Sequence, residues 1–139
     1  MMVITKNILI KSKSENDIID ITDQISNIVK ESLIENGAVI VFVAGSTAAI
    51  TTMEFEPGLQ KDFPEMLSRL APKDNEYAHD ATWHDGNGHS HVRASLVGPN
   101  LTVPIVNGHL TLGTWQQIVL VEMDTKPRER KIILQMMGE

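Results

Sequence analysis

Hydrophobic and polar positions alternate through much of this chain, and where the alternation breaks, the spacing becomes that of a helix. Residues 3–11 are rich in β-branched side chains with partial alternation and predict a first strand. Residues 12–16 are polar and predict a turn. Between Asp17 and Asn36, the apolar residues Ile18, Ile21, Ile25, Ile28, Val29 and Leu33 recur three and four apart. With Thr22 as N-cap, Asp23 in the first turn and Gly37 past the end, they predict a helix over 22–35, while 18–21 can instead be extended. Residues 38–44 form a continuous apolar run, the mark of a strand buried on both faces, and 50–53 read as a further strand. Pro57 and Gly58 open a helix over 59–70 that ends before Pro72.

From Gly88 onward the pattern predicts strands over 89–97, 100–106, 116–123 and 130–137, joined by short Gly, Pro and Asn turns. Short connections favour antiparallel neighbours. Two early helices followed by a run of strands predict an α+β class: a single domain over 1–139, with a largely antiparallel sheet curled into a sandwich or barrel-like layer.

Length and charge narrow the picture. The chain has 139 residues, enough to bury a core in one domain, and a net charge of −6 without clustered Lys and Arg. This argues against a nucleic-acid partner. There is no cysteine, so a metal would have to use His, Asp, Glu or water. No apolar run approaches the roughly 20 residues that span a bilayer, and no secretory leader is recognisable. A soluble, cytoplasmic protein without a membrane partner is the expectation.

The chemistry concentrates in residues 77–92, which carry His79, His84, His89 and His91 among Asp80, Asp85 and Asn87. On a strand, His89 and His91 would share a face with Arg93 and Ser95. Joined by His79 from the preceding loop, the two imidazoles could hold a divalent metal, Zn being the natural choice, with a position left open. A single histidine is more often a hydrogen-bonded surface residue than a ligand, and His109, standing alone, reads as structural. Asp85 and Asn87 can close an Asx turn or orient a histidine ring. Gly45-Ser46-Thr47, at the end of the buried strand, can present N–H and O–H groups to an anion or form an ordinary turn. Trp115 reads as a packing or interface residue, with Gln116 beside it open to either role. Arg128 and Arg130 would usually be solvated after a turn, although Arg128 can clamp a phosphate or a carboxylate.

Gly45-Ser46-Thr47-Ala48-Ala49, Asp85-Gly86-Asn87-Gly88-His89-Ser90-His91, Gly113-Thr114-Trp115-Gln116 and Pro127-Arg128, in this order and spacing, resemble the YjbQ-like family. The resemblance covers nearly the whole chain. It implies a small α+β protein that assembles as a homotrimer, in a family largely without an assigned activity and with some members regarded as secondary thiamine-phosphate synthases. Residue by residue it points to His79, His91 and Glu54. It also marks a departure: most relatives carry a histidine where this chain has Gly45, so either His89 takes the place of a missing metal ligand or the chain binds metal weakly or not at all.

Three functions follow as expectations. One is an enzyme acting on a small anionic or phosphorylated molecule, a transferase of the thiamine-phosphate synthase type or a metal-dependent hydrolase. In it, Ser46, Thr47, Arg93, Gln116 and Arg128 would hold the anion; Glu54 would act as general base, supported by Asp85 and Asn87; and His79, His89 and His91 would hold the metal. The second is a binding module that takes up metal or anion without turnover. The third is a trimer whose histidines line an interface.

Overall fold

A computed structural model describes all of residues 1–139. The strands are β1 (Met2–Lys11), β2 (Ile18–Asp20), β3 (Asn36–Val43), β4 (Ala48–Met53), β5 (Asn100–Val106), β6 (His109–Leu110), β7 (Gln117–Glu122) and β8 (Glu129–Gly138). The helices are α1 (Thr22–Ser32), α2 (Pro57–Leu70), α3 (Ala78–Trp83) and α4 (Gly88–Val97). The α+β class and the antiparallel pairing are as expected. The helices number four rather than two, and the curled sheet is divided into a five-stranded sheet in the order β1-β8-β3-β5-β6 and a three-stranded sheet in the order β2-β7-β4.

Strand patterning explains the layers. On β7, Ile118 and Leu120 pack with Val39, Val41, Leu134 and Met136 of the large sheet, while the alternating Val119 and Val121 face the other way, toward Leu67 of α2 and Ala94 of α4. β4 does the same, sending Ala48 and Ile50 to one side and Ala49 and Met53 to the other. The small sheet is therefore the middle layer, buried on both faces, which is why its central strand reads as an unbroken apolar run. α1 adds Ile25 and Val29 to the core shared by the two sheets. No helix of the chain is long and apolar enough to cross a membrane.

Helix ends depart from expectation in small ways. Thr22 is the first residue of α1, not its cap; Asp20 Oδ1 accepts its N–H at 3.0 Å, and Thr22 Oγ1 accepts the N–H of Ile118 at 2.8 Å. Glu56 caps α2, accepting the N–H groups of Gly58 and Leu59 ahead of Pro57 at the first turn.

The larger correction is α4, where a strand over 89–97 was expected. Its buried residues, Gly88, His89, Ser90, Arg93 and Ala94, have helical spacing, but most are polar. Its outward positions include Val92 and Leu96, 47% and 61% exposed. A helix that turns polar residues inward shows no hydrophobic period, so the sequence looked like a strand.

Three connections cross between the sheets at one end of the sandwich: 12–17 from β1 to β2, 44–47 from β3 to β4, and 123–128 from β7 to β8. They are tied together there. Ser12 N–H donates to Arg128 O at 2.8 Å, Asn16 N–H to Glu122 O at 2.9 Å, and Met123 N–H to Thr47 O at 3.0 Å.

Candidate functional site

Where these crossings meet, two charged residues point inward. Arg130 lies on the core-facing side of β8 in step with Ile132, Leu134 and Met136, and Glu122 is in step with Ile118 and Leu120 on β7. Neither side chain reaches bulk water freely, so they pair. Arg130 Nε donates to Glu122 Oε1 at 2.8 Å, and its Nη2 donates to Glu122 Oε2 and, at 2.8 Å, to Thr47 Oγ1. Glu122 also accepts from the Ser12 hydroxyl at 2.6 Å and from the backbone N–H groups of Met123 and Asp124 at 3.1 Å.

Asp124 forms the second pair. It accepts the Thr47 hydroxyl at 3.0 Å, the Thr125 N–H at 2.7 Å, and Arg128 Nε and Nη2 at 2.9 and 2.8 Å. Burial works to raise its pKa. The hydrogen bonds from Thr125, Thr47 and Arg128, with the charge of Arg128, outweigh burial and hold the carboxyl below its ordinary value. Thr47, accepting from Arg130 and donating to Asp124, links the two pairs.

The histidines approach from α3 and α4. Asp80 Oδ1 accepts the N–H of Gly88 at 2.9 Å, and a Cβ on Gly88 would lie 2.5 Å from that of Tyr77, so glycine permits this close junction of the two helices. The rings of His79 and His91 then lie 4.3 Å apart, tilted by 50°. His79 Nε2 is 3.4 Å from Asp85 Oδ1. The hydrogen-bond network assigns the Asn87 amide nitrogen to this side, donating to Asp85 Oδ1 at 2.9 Å and lying 3.1 Å from His79 Nε2.

Together these groups line a cleft of about 350 Å³ formed by Gly45, Ser46, Thr47, Asp85, Asn87, His91, Asp124, Arg128 and Arg130, with no hydrophobic side chain. It gathers Ser46, Thr47, Asp85, Asn87, His91 and Arg128 of the sequence-derived candidates, with His79 directly behind. Acceptors in the cleft are largely occupied by protein donors, and His91 makes no hydrogen bond to a protein side chain.

Other candidates lie elsewhere. Residues two apart on a helix point to nearly opposite sides, so His89 does not join His79 and His91. It is fully buried, its Nε2 3.2 Å from Glu15 Oε2. Arg93, one helical turn later, shares its face rather than that of His91: its Nε donates to Ala71 O at 3.0 Å and its Nη1 is 4.0 Å from Glu15. Glu54 lines a separate cleft with Asp20, Phe55, Glu56, Trp115 and Gln117. Gln116 folds its own loop, accepting the N–H of Gly113 and donating to Thr52. His84 ends α3 in a left-handed conformation, and His109 sits at an exposed turn, its Nδ1 2.7 Å from Asn107 O. Trp115 is 73% exposed.

Sequence reading missed Arg130, Glu122 and Asp124. For the first two a signal existed: each occupies the apolar phase of an alternating strand.

A family model described as "UPF0047 protein YjbQ-like" matches residues 6–139. A UPF0047 protein of Methanothermobacter thermautotrophicus is 40% identical over 139 residues, covering 100% of this chain and 95% of its own. YugU of Bacillus subtilis is 34% identical over 135 residues, covering 96% and 98%. Among solved structures, a protein of unknown function from Sulfolobus solfataricus superposes with a TM-score of 0.92 at 37% identity over 99% of both chains. A Clostridium acetobutylicum protein does so with 0.83 at 35%, over 96% of this chain and 99% of that one.

Proposed function

The chain belongs to the UPF0047 YjbQ-like family, and from that premise we propose that its polar cleft binds a small phosphorylated molecule and performs acid–base chemistry on it. The observation that carries this reading is the placement of His91. It enters a cleft lined only by polar side chains and glycine, beside Arg128, Ser46 and Thr47. A ring with no protein side-chain partner is free to exchange a proton with a ligand. His79, 4.3 Å behind it and tied to Asp85 and Asn87, orients it by ring contact.

The chemistry fits the members of this family regarded as thiamine-phosphate synthases, whose pyrimidine diphosphate and thiazole phosphate substrates both carry phosphate. It equally fits hydrolysis of a phosphate ester, in which water attacks phosphorus, the ester P–O bond breaks, the leaving oxygen takes a proton from His91 and the proton shed by the attacking water restores His91. The test is a screen of phosphate esters, together with the pyrimidine–thiazole condensation, on wild type and His91→Ala. Turnover that falls by about 10²–10⁴ in the variant is expected. Turnover unchanged in His91→Ala would overturn the assignment, and saturable binding with no turnover would leave an anion-binding module.

A metal-dependent form of the reading has its own support. One donor atom each from His79, Asp80 and Asp85 lie within 4.8 Å of one another, a nitrogen and oxygen set suited to Zn. The set His79, His89 and His91 does not fit, because His89 is buried on the other side of α4 against Glu15. Near one metal per chain in untagged protein, lost in His79→Ala, would support the ion; metal retained in that variant would exclude these ligands. We place the protein in the cytoplasm, where phosphorylated metabolites are abundant, and assign it a homotrimeric state.

A further inference from the structure

Arg130 has one nitrogen left over. Its Nε and Nη2 are held by Glu122 and Thr47, while Nη1 has no hydrogen-bond partner in the protein. The residue is only 6% exposed, yet it lines the cleft. Three bonds from two nitrogens fix the plane of a guanidinium, so the direction in which Nη1 points is set before any ligand arrives.

That direction is toward residue 45. A Cβ built on Gly45 would lie 2.8 Å from Arg130 Nη1, and Gly45 has φ +136°, a conformation that side chains rarely adopt. Any side chain here would compete with the guanidinium for the same space. The absence of a side chain is thus what exposes this buried nitrogen, which the network does not use.

The remaining valences around it are donors. Glu122 accepts from Arg130, Ser12 and two backbone N–H groups, and Asp124 accepts from Thr47, Thr125 and Arg128. Asp85 is engaged by Asn87 and His79. The carboxylates are therefore occupied, while Arg130 Nη1 and the Ser46 hydroxyl are not. We propose that Gly45 and Arg130 form the seat of a tetrahedral oxyanion, the phosphate group of the ligand, and that residue 45 decides whether the cleft accepts it. This rests on the reading that the cleft takes a phosphorylated molecule, and it goes further by naming the anchoring atom and the position that controls access.

The first test uses wild-type protein alone. Inorganic phosphate and a simple phosphate monoester are titrated, with chelator present, while the arginine Nε–H resonances are followed by 15N NMR. The Arg130 signal is expected to shift with the same midpoint as the binding isotherm. A monoester that binds like phosphate points to recognition of the phosphoryl oxygens; binding by inorganic phosphate only would mark the free ion as the ligand. In parallel, Gly45→Ala is expected to weaken phosphate at least about tenfold, the loss of one charge-assisted hydrogen bond, whereas Lys73→Ala leaves it unchanged.

If phosphate binds but the Arg130 resonance stays still and Gly45→Ala binds as well as wild type, the seat is overturned while the reading of the cleft stands. If wild type binds neither ligand, both fall. The titration of unmodified protein decides the question even if Gly45→Ala does not fold.

Discussion

At the scale of single residues, the cleft depends on charges placed where a core would normally be apolar. Asp124 illustrates the linkage between this network and pH. Its carboxyl is held below the ordinary value near 3.8, so its stabilising contribution is complete above that value and lost as the pH falls through the lower, folded one. We therefore expect the difference in Tm between wild type and Asp124→Asn to be constant from neutral pH down to about pH 5 and to close in stronger acid. Melting curves across that range decide it; a difference that persists undiminished at pH 2 would show that the carboxylate's ionisation is not what stabilises the network. The cleft was partly legible at this scale. Hydroxyls after a buried strand, an Asp and Asn before a histidine, and a Pro-Arg turn all advertise chemistry. Arg130 and Glu122 were hidden because a charge on a strand reads as solvated unless its phase against the apolar positions is followed.

Among the secondary-structure elements, α4 carries the main lesson. The strands and the two longer helices were legible because burial follows hydrophobicity in them. In α4 it does not: His89 and Arg93 are buried, and they hold Glu15 in the connection between β1 and β2. The exchange of a strand for a helix also exchanged partners, separating His91 from Arg93 and His89. Glu15 also meets Lys73, whose Nζ lies at 3.7 Å. Glu15→Ala leaves two buried nitrogen-bearing side chains without their carboxylate and should cost about 3 kcal/mol. Lys73 is 60% exposed, and Lys73→Ala should change stability by less than about 0.5 kcal/mol. Chemical denaturation of both variants checks the contrast; equal effects would mean that the buried pair contributes no more than a surface one.

On the scale of the whole molecule, the two faces of the large sheet differ. One packs on the small sheet and α1. The other is covered by no element of the chain, although it carries Val3 and Leu9 of β1, 59% and 62% exposed, in register with Met137 and Lys131 of β8. Such a face favours assembly, and it is the surface that the proposed homotrimer would use. Leu9→Lys is expected to lower the mass measured by light scattering while leaving the fold intact by circular dichroism; unchanged mass would move the interface elsewhere, with the exposed Trp115 and the Val92–Leu96 side of α4 as the next surfaces to test.

The strand order has a consequence for how the chain comes into being. β8 lies between β1 and β3, pairing with both. During synthesis from the N-terminus, these two strands therefore emerge long before the one that joins them, and β1 has no partner in the large sheet until β8 has been made. The pairing of β1 with β8 joins residues as distant in sequence as Met2 and Gly138, the kind of topology that folds slowly and leaves strand edges open meanwhile. Because β8 also delivers Arg130, the nascent protein has no competent cleft until its sheet has closed.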